Sequence, residues 1–192
     1  MDLHNKEDVR KIVDGCIRGD RNSQHLLYKN SYGKMLGVCM RYASSKDEAK
    51  DLLHDGFIKV FDKISSYNFS GSFEGWLRKV FVNNNLDYLK KKKLLDNKEE
   101  INISVENIYD DSDEVLEKLN EKNITAEKLM ELIQELSPAY RTIFNLYYIE
   151  DYTHKEIASL LNISEGTSKS NLSRAKINLK NLYIEKYGYN NE

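Results

Sequence analysis

The stretch THKEIASLLNISEGTSKSNLSRAKINL, residues 153–179, determines the fold that we expect for the C-terminal part of the chain. Thr153 and Glu156 have the spacing of a capping box, which predicts the start of a short helix. Asn162 follows where a tight turn needs a left-handed residue, and Ser164 is placed to cap the next helix. The pattern therefore predicts two helices joined by a turn of about four residues.

The second of these helices has a narrow apolar face. Spacings of three and four residues place the following side chains on one face, which must pack inward: Leu172, Ala175, Leu179 and Leu182. The other faces carry small polar and cationic side chains: Lys169, Ser170, Asn171, Ser173, Arg174, Lys176 and Lys180. Such a surface can simply be solvated, but it also suits hydrogen bonding to an anionic groove. The pattern indicates a helix-turn-helix whose second helix enters a DNA major groove, with an ordinary helical hairpin as the alternative.

The composition predicts a folded, cytoplasmic chain. Of its 192 residues, 40% are hydrophobic and 31% are charged, and no apolar run approaches the roughly 20 residues that span a bilayer. Residues 1–10 are polar and lack the apolar core of a signal peptide, so we expect a cytoplasmic location and no membrane insertion.

No enzymatic site is predicted. Cys16 and Cys39 lie in apolar helical patterns and are expected as core thiols, and the histidines show no metal spacing. Phosphate-loop, nucleophile-elbow and zinc-protease motifs do not occur in the sequence. We therefore predict no cofactor, no metal and no catalytic residue.

Apolar spacing along the rest of the chain predicts an all-α fold of two small helical domains. Helices are expected over residues 9–17, 26–42, 48–64, 73–93, 126–136 and 139–149, in addition to the pair described above. Residues 94–125 show no sustained period and carry ten acids against three lysines. We therefore predict a domain at 1–93, a flexible acidic linker at 94–125 and a domain with the helix-turn-helix at 126–192.

The first domain has a basic and aromatic surface of its own. Residues 65–73 form a polar, glycine-containing loop next to a helix with Arg78 and Lys79 that ends in four lysines, residues 90–93. Aromatic rings beside cations are what unpaired bases stack on and are held by. We expect Trp76 to be mainly core and the loop to contact nucleic acid, whereas the lysine run also fits a solvated helix end.

Four segments in this order carry a resemblance to a known family. They are DEAKDLLHDGFIKVF (47–61), FSGSFEGWLRKVFVNNNLDYLKKKK (69–93), LSPAYRTIFNLYYIEDYTHKEIASLL (136–161) and ISEGTSKSNLSRAK (163–176). They resemble the motifs of bacterial extracytoplasmic-function (ECF) sigma factors, a subfamily of the sigma-70 family. The resemblance implies a transcription initiation factor that recruits core RNA polymerase to promoters, binding both the clamp of its largest subunit and its flap.

The resemblance also implies roles for individual positions. Docking on the polymerase clamp is implied for Asp51, Leu52, Leu53, Asp55, Phe57 and Val60. Capture of the −10 strand is implied for Tyr67, Phe69, Ser70, Lys79, Asn83, Asn84, Lys90 and Lys91. Contact with the −35 element is implied for Thr167, Lys169, Ser170, Ser173 and Arg174. An anti-sigma factor that covers the polymerase-binding surfaces is a further implied partner.

This sequence departs from the family at three positions. Ser168 stands where valine is usual, which we expect to weaken packing between the two helices. Asn171 stands where arginine is frequent, which removes a partner for phosphate or base, and His54 replaces a usual glutamine. Two alternatives remain: a helical adaptor that binds a protein partner, and a helix-turn-helix regulator that never binds polymerase.

Overall fold

A computed structural model describes residues 5–95 and 125–188 of the chain. In these two ranges the regular elements are helices and no strand occurs, so the all-α prediction is confirmed. The described residues form two compact units, one in each range. Most of the predicted acidic linker lies outside the described residues, and the predicted domain boundaries remain predictions.

The first unit contains four α-helices and a short 3-10 turn. Their bounds are α1 Lys6–Ile17, α2 Arg21–Met40, α3 Lys46–Lys63, the turn Ile64–Ser66, and α4 Phe73–Leu95. Side chains of Asn5, Asp20 and Ser45 cap the first three helices by accepting hydrogen bonds from amides of the first turn. The Asp20 cap starts α2 five residues before the expected Leu26.

The core of the first unit lies among α2, α3 and α4, and α1 packs on α2 and on the 3-10 turn. Helices α3 and α4 approach each other at Gly56. A Cβ atom at this position would lie 2.2 Å from Cε1 of Phe81, whose ring is fully buried. Only glycine allows this approach, because a methyl group would overlap the ring.

The second unit also contains four α-helices. Their bounds are α5 Ala126–Glu135, α6 Pro138–Phe144 with a π-helical turn Asn145–Ile149, α7 His154–Leu161, and α8 Glu165–Tyr187. Ser137 caps α6 and Pro138 occupies its first turn, as the sequence predicts. Helix α8 packs against α5, α6 and α7.

Two sequence predictions on the core have different outcomes. Cys16 and Cys39 are free and buried, which confirms them as core thiols. Ile17, which belongs to the apolar spacing that predicts the helix at 9–17, is 51% exposed, whereas Cys16 in the same last turn is buried. None of the helices in the described ranges is long and apolar enough to span a membrane.

Candidate nucleic-acid interface

The turn between α7 and α8 has the geometry that the sequence predicts. The Thr153 hydroxyl accepts a hydrogen bond from the Glu156 amide at 3.3 Å, and the Glu156 carboxylate accepts one from the Thr153 amide at 2.8 Å. Asn162 ends α7 in the left-handed conformation, at φ 55° and ψ 51°. The Ser164 hydroxyl then accepts from the Thr167 amide at 2.9 Å and caps α8. Together these contacts fix a helix-turn-helix.

The inner face of α8 is wider than its apolar residues suggest. Leu172, Ala175 and Leu179 are buried as predicted. Asn171 and Lys176 were expected on the outer faces but are only 1% and 6% exposed, because they flank the buried stripe. The ammonium of Lys176 lies 5.6 Å from the ring centroid of Tyr148 on the π-helical turn, a cation–π distance. Asn171 and Lys176 are therefore packing residues in this structure.

A hydrogen bond joins α7 to α8 at the position where the family usually has valine. Ser168 is fully buried, and its Oγ lies 2.9 Å from Nδ1 of His154. Tyr147 stacks on the His154 ring with centroids 4.7 Å apart. Burial lowers the pKa of His154, and the charge of Lys169 acts in the same direction. We call this contact the His154–Ser168 link; it replaces apolar packing with a polar contact, which the sequence prediction did not include.

The outer face of α8 presents four of the five predicted DNA-contacting residues. Lys169 is exposed, and Thr167, Ser170 and Arg174 are partly exposed. The Ser170 hydroxyl donates to the Thr167 carbonyl at 3.2 Å, which leaves its oxygen free to accept. Ser173 is a correction: the residue is partly exposed, but its hydroxyl oxygen is buried beside the inward stripe and does not face solvent.

In the first unit the loop between the 3-10 turn and α4 is held by its own side chains. The Tyr67 hydroxyl donates to the Gly71 carbonyl at 3.1 Å, and the Ser70 amide donates to the Asn68 side chain at 3.0 Å. Phe69 has a φ of 59°, a conformation that side-chain-bearing residues rarely adopt, and it is 37% exposed. Ser70 is also exposed.

Aromatic rings pack beneath this loop. The Tyr67 ring lies 5.0 Å from Phe69, 5.0 Å from Phe73 and 5.6 Å from Trp76, measured between centroids. Tyr67 itself is 7% exposed. The prediction that Tyr67 contacts DNA directly is therefore corrected, and its ring supports Phe69 instead. Trp76 is half-buried and stacks on Phe73.

Helix α4 continues the basic surface. Lys79, Asn83, Lys90 and Lys91 are exposed, as the prediction requires. Asn84 is a correction, because its side-chain amide is buried and donates to the Leu52 carbonyl of α3 at 3.1 Å. A side chain committed to this interhelical bond cannot reach DNA.

Helix α3 separates the predicted polymerase-contacting residues into two sets. Asp51 and Asp55 are exposed. The four apolar residues are only 0–3% exposed and form the core of the first unit: Leu52, Leu53, Phe57 and Val60. The prediction that these four side chains contact a partner directly is therefore corrected. They pack in the core and hold helix α3 in place.

One residue of the exposed face of α3 was missed. Ile58 is 53% exposed and shares that face with Asp51, His54 and Asp55, since their spacings are three, four and seven residues. The same helical spacing in the sequence is the signal that could have found it.

Acidic and basic side chains also join α3 to α4 at one end. The Glu48 carboxylate accepts from the Tyr88 hydroxyl and from the Lys92 ammonium, each at 2.6 Å. Burial alone would raise the pKa of Glu48, but the hydrogen bonds from Lys92, Tyr88 and the Ser44 amide outweigh it and hold the pKa at about 2.

In the part of the chain that the structure describes, no group of acidic, histidine and cysteine side chains could hold a metal ion.

Comparisons with known proteins agree with these two units. Residues 27–94 match the family model of Sigma-70 region 2, and residues 126–179 match that of Sigma-70, region 4. The ECF RNA polymerase sigma factor SigM of Bacillus subtilis is 31% identical over 157 residues, covering 82% of this chain and 91% of SigM. SigW of the same organism is 25% identical over 177 residues, covering 88% of this chain and 92% of SigW.

Among solved structures, the sigma factor RpoE of Bartonella quintana, in complex with the anti-sigma factor NepR, resembles this chain with a TM-score of 0.50. The identity is 17%, over 84% of this chain and 97% of RpoE, so this likeness concerns the fold alone. The relatives and both family models show that the chain belongs to the ECF subfamily of sigma-70 RNA polymerase sigma factors. It is a non-enzymatic initiation factor that binds core polymerase and promoter DNA and directs promoter-specific transcription, which confirms the predicted function over the adaptor and the polymerase-independent regulator.

Proposed function

We propose that α8 reads the −35 element with the outer face of its first half. The observation that carries this proposal is the orientation of the helix: buried Leu172, Ala175 and Leu179 turn Lys169 and Arg174 outward. A guanidinium that reaches guanine in the major groove is worth about 1 to 3 kcal/mol of discrimination. Thr167 and Ser170 add short polar groups beside these two cations.

The loop at residues 67–72 and the exposed face of α4 hold the unpaired −10 strand in this proposal. Phe69 offers a ring for stacking, and Lys79 and Asn83 lie on the helix that follows. Lys90 and Lys91 extend the positive charge toward the end of that helix. A single strand needs this combination, since its bases expose their faces and its phosphates attract cations.

Helix α3 docks on the clamp of the largest polymerase subunit through the exposed face formed by Asp51, His54, Asp55 and Ile58. Two carboxylates one helical turn apart suit a basic partner, and an exposed isoleucine next to them suits an apolar contact. The second unit binds the flap while α8 contacts DNA. This division keeps the polymerase-facing residues off the surfaces proposed for DNA.

We further propose that the protein acts in the cytoplasm and that an anti-sigma factor covers the docking face of α3. The support for such a partner is the resemblance to ECF sigma factors and the Bartonella quintana relative, which was solved with NepR. Co-purification from native cells is the test. Recovery of polymerase as the sole stable partner would contradict a dedicated inhibitor.

In vitro transcription with core polymerase and a promoter library identifies the −10 and −35 sequences that this protein uses. Gel-shift titrations with the selected −35 duplex then test the reading face proposed for α8. Arg174→Ala is expected to weaken binding to duplex −35 DNA about tenfold, and Lys186→Ala, which removes the same charge 12 residues later on α8, should leave it within twofold. Equal losses in a gel-shift titration would place the reading face elsewhere.

The paired substitution Asp51→Lys with Asp55→Lys should weaken capture of core polymerase without unfolding the chain. Reversing two other exposed acids, Asp14 and Glu185, gives the same change in net charge and serves as the control. Undiminished capture by the α3 variant would contradict the proposed docking face.

A further inference from the structure

Helix α1 reaches the loop that we propose for the −10 strand. The guanidinium carbon of Arg10 lies 5.1 Å from the ring centroid of Phe69, within the range of a cation–π contact. Arg10 is exposed to solvent. It precedes residues 27–94, the segment that matches the region 2 model, so the family motif does not include it.

The loop holds Phe69 in place for this contact. The positive φ of Phe69 is unfavourable for a phenylalanine, so the surrounding contacts must impose it. Tyr67 supplies such a contact, because its ring packs against Phe69 while its hydroxyl binds the Gly71 carbonyl. Phe69 is consequently an outward aromatic ring with a fixed backing and one cation beside it.

The packing of helix α1 places Arg10 near this loop. Helix α1 packs against the 3-10 turn Ile64–Ser66, which leads directly into the loop. Ile64 is buried, and so are Val9 and Val13 on the inward face of α1. The core of the unit therefore holds the backbone of Arg10 close to the start of the loop.

We propose that Arg10 is a further nucleic-acid contact of this sigma factor and binds the phosphate backbone of the single strand whose base stacks on Phe69. The inference rests on the proposed function of the loop. Arginine suits this task, because its planar guanidinium donates to phosphate oxygens in pairs and also lies flat against rings. Together with Lys79, which we propose for the same strand, it supplies cations from two different helices.

The test uses the full chain assembled with core polymerase and a short fluorescein-labelled single strand carrying the −10 sequence selected from the promoter library. Anisotropy titrations at several salt concentrations give the affinity and its salt dependence. Arg10→Ala is expected to weaken binding about fivefold and to reduce the slope of log K against log salt by about 0.7, the value of one phosphate on a single strand. Arg10→Lys should retain most of the slope.

Lys11→Ala is the matched control, since Lys11 is the neighbouring cation and is paired with Glu7 at 3.0 Å on the same helix. It should bind like the unmodified chain. Arg10→Ala with an affinity and slope equal to those of Lys11→Ala would overturn the inference. So would weaker binding with an unchanged slope, because that result assigns Arg10 a structural role.

Phe69→Ala and Lys79→Ala distinguish the two levels of the argument. If both weaken single-strand binding and Arg10→Ala does not, the inference about Arg10 fails and the proposed function of the loop stands. If neither weakens binding, the proposed function of the loop fails as well. Trp76 fluorescence in a denaturant titration verifies that each variant is folded, and Arg10→Gln replaces Arg10→Ala if the alanine variant is not.

Discussion

The helix pair α3 and α4 in the first unit and the pair α7 and α8 in the second are joined in different ways. In the first pair the helices meet at Gly56, against which the buried Phe81 ring packs, and an ionic contact from Glu48 to Lys92 closes one end. In the second pair the contact contains the His154–Ser168 link. Each pair positions a surface that we propose for polymerase or DNA.

The difference shows that the two surfaces depend on different conditions. The contact at Gly56 is limited by size, so an added methyl group disturbs it at any pH. The pKa of His154 is lowered by burial and by the charge of Lys169, so acid, which charges this ring, destabilises the packing around the His154–Ser168 link. As the pH falls, the second unit should weaken first and the Glu48 contact of the first unit later.

Gly56→Ala should have the largest effect on this comparison. The new Cβ overlaps the fully buried Phe81 ring, so one of the two must shift, and we expect the free energy of unfolding of the first unit to fall by about 2 kcal/mol. Chemical denaturation followed by Trp76 fluorescence measures it, because the chain has a single tryptophan.

Gly33→Ala on α2 is the matched control for this substitution. A Cβ at that position meets nothing within 4 Å, so the change should stabilise the unit by up to about 1 kcal/mol through helix propensity. The same sign for both variants would show that the approach of α3 to α4 is not limited by Gly56.

Glu48→Gln should have an intermediate effect that disappears in acid. The pKa of Glu48 is about 2, below its usual 4.5, so its contribution to stability is complete above about pH 4.5 and is lost as the pH falls toward 2. We expect a loss of about 1.5 kcal/mol at pH 7, discounted for the partial exposure of Lys92, and almost none at pH 2.

Denaturant titrations at pH 7, 4 and 2 measure this dependence. Glu74→Gln is the control, because the exposed pair of Glu74 and Lys34 should contribute less than about 1 kcal/mol. A Glu48→Gln penalty that is constant from pH 7 to pH 2 would contradict the depressed pKa.

Ser168→Ala should have the smallest effect, about 1 kcal/mol, from the loss of one buried hydrogen bond. Hydrogen exchange of α8 amides measures it in the second unit.

Burial and Lys169 lower the folded-state pKa of His154, with Lys176 in the same direction and Glu165 opposing. The unfolded chain then takes up the proton first, so stability falls as the pH drops below about 6.5.

An NMR titration of the His154 ring gives the folded-state pKa directly. Replacement of His154 by asparagine should remove this part of the pH dependence while leaving the Glu48 transition of the first unit in place. A folded-state pKa of His154 above 6.5 would reverse the expected order in which the two units respond to acid.

Much of the fold was predictable from local sequence signals. The capping box at Thr153, the turn at Asn162 and the cap at Ser137 each depend on neighbours within a few residues, so they are visible in the sequence. The apolar stripe of α8 and the exposed Lys169 were predicted for the same reason, because one helix period is enough to assign a face.

The errors concern contacts between distant parts of the chain. The family resemblance implied a DNA contact for Asn84, but its partner is the Leu52 carbonyl on another helix. Asn171, Ser173 and Lys176 lie at the edges of a buried face whose width depends on the helices packed against it. Arg10 approaches Phe69 across 59 positions of sequence, and no local pattern records such a contact.

The two native thiols of this chain have a consequence for its chemical labelling. Burial raises the pKa of Cys16 to about 11 and that of Cys39 to about 12, so both remain protonated and shielded at neutral pH. Maleimide reagents attack thiolates, and a cysteine introduced at an exposed position of either unit would react well before these two. Dye pairs placed in this way would report distances between the two units inside the initiating polymerase, without first removing the native cysteines.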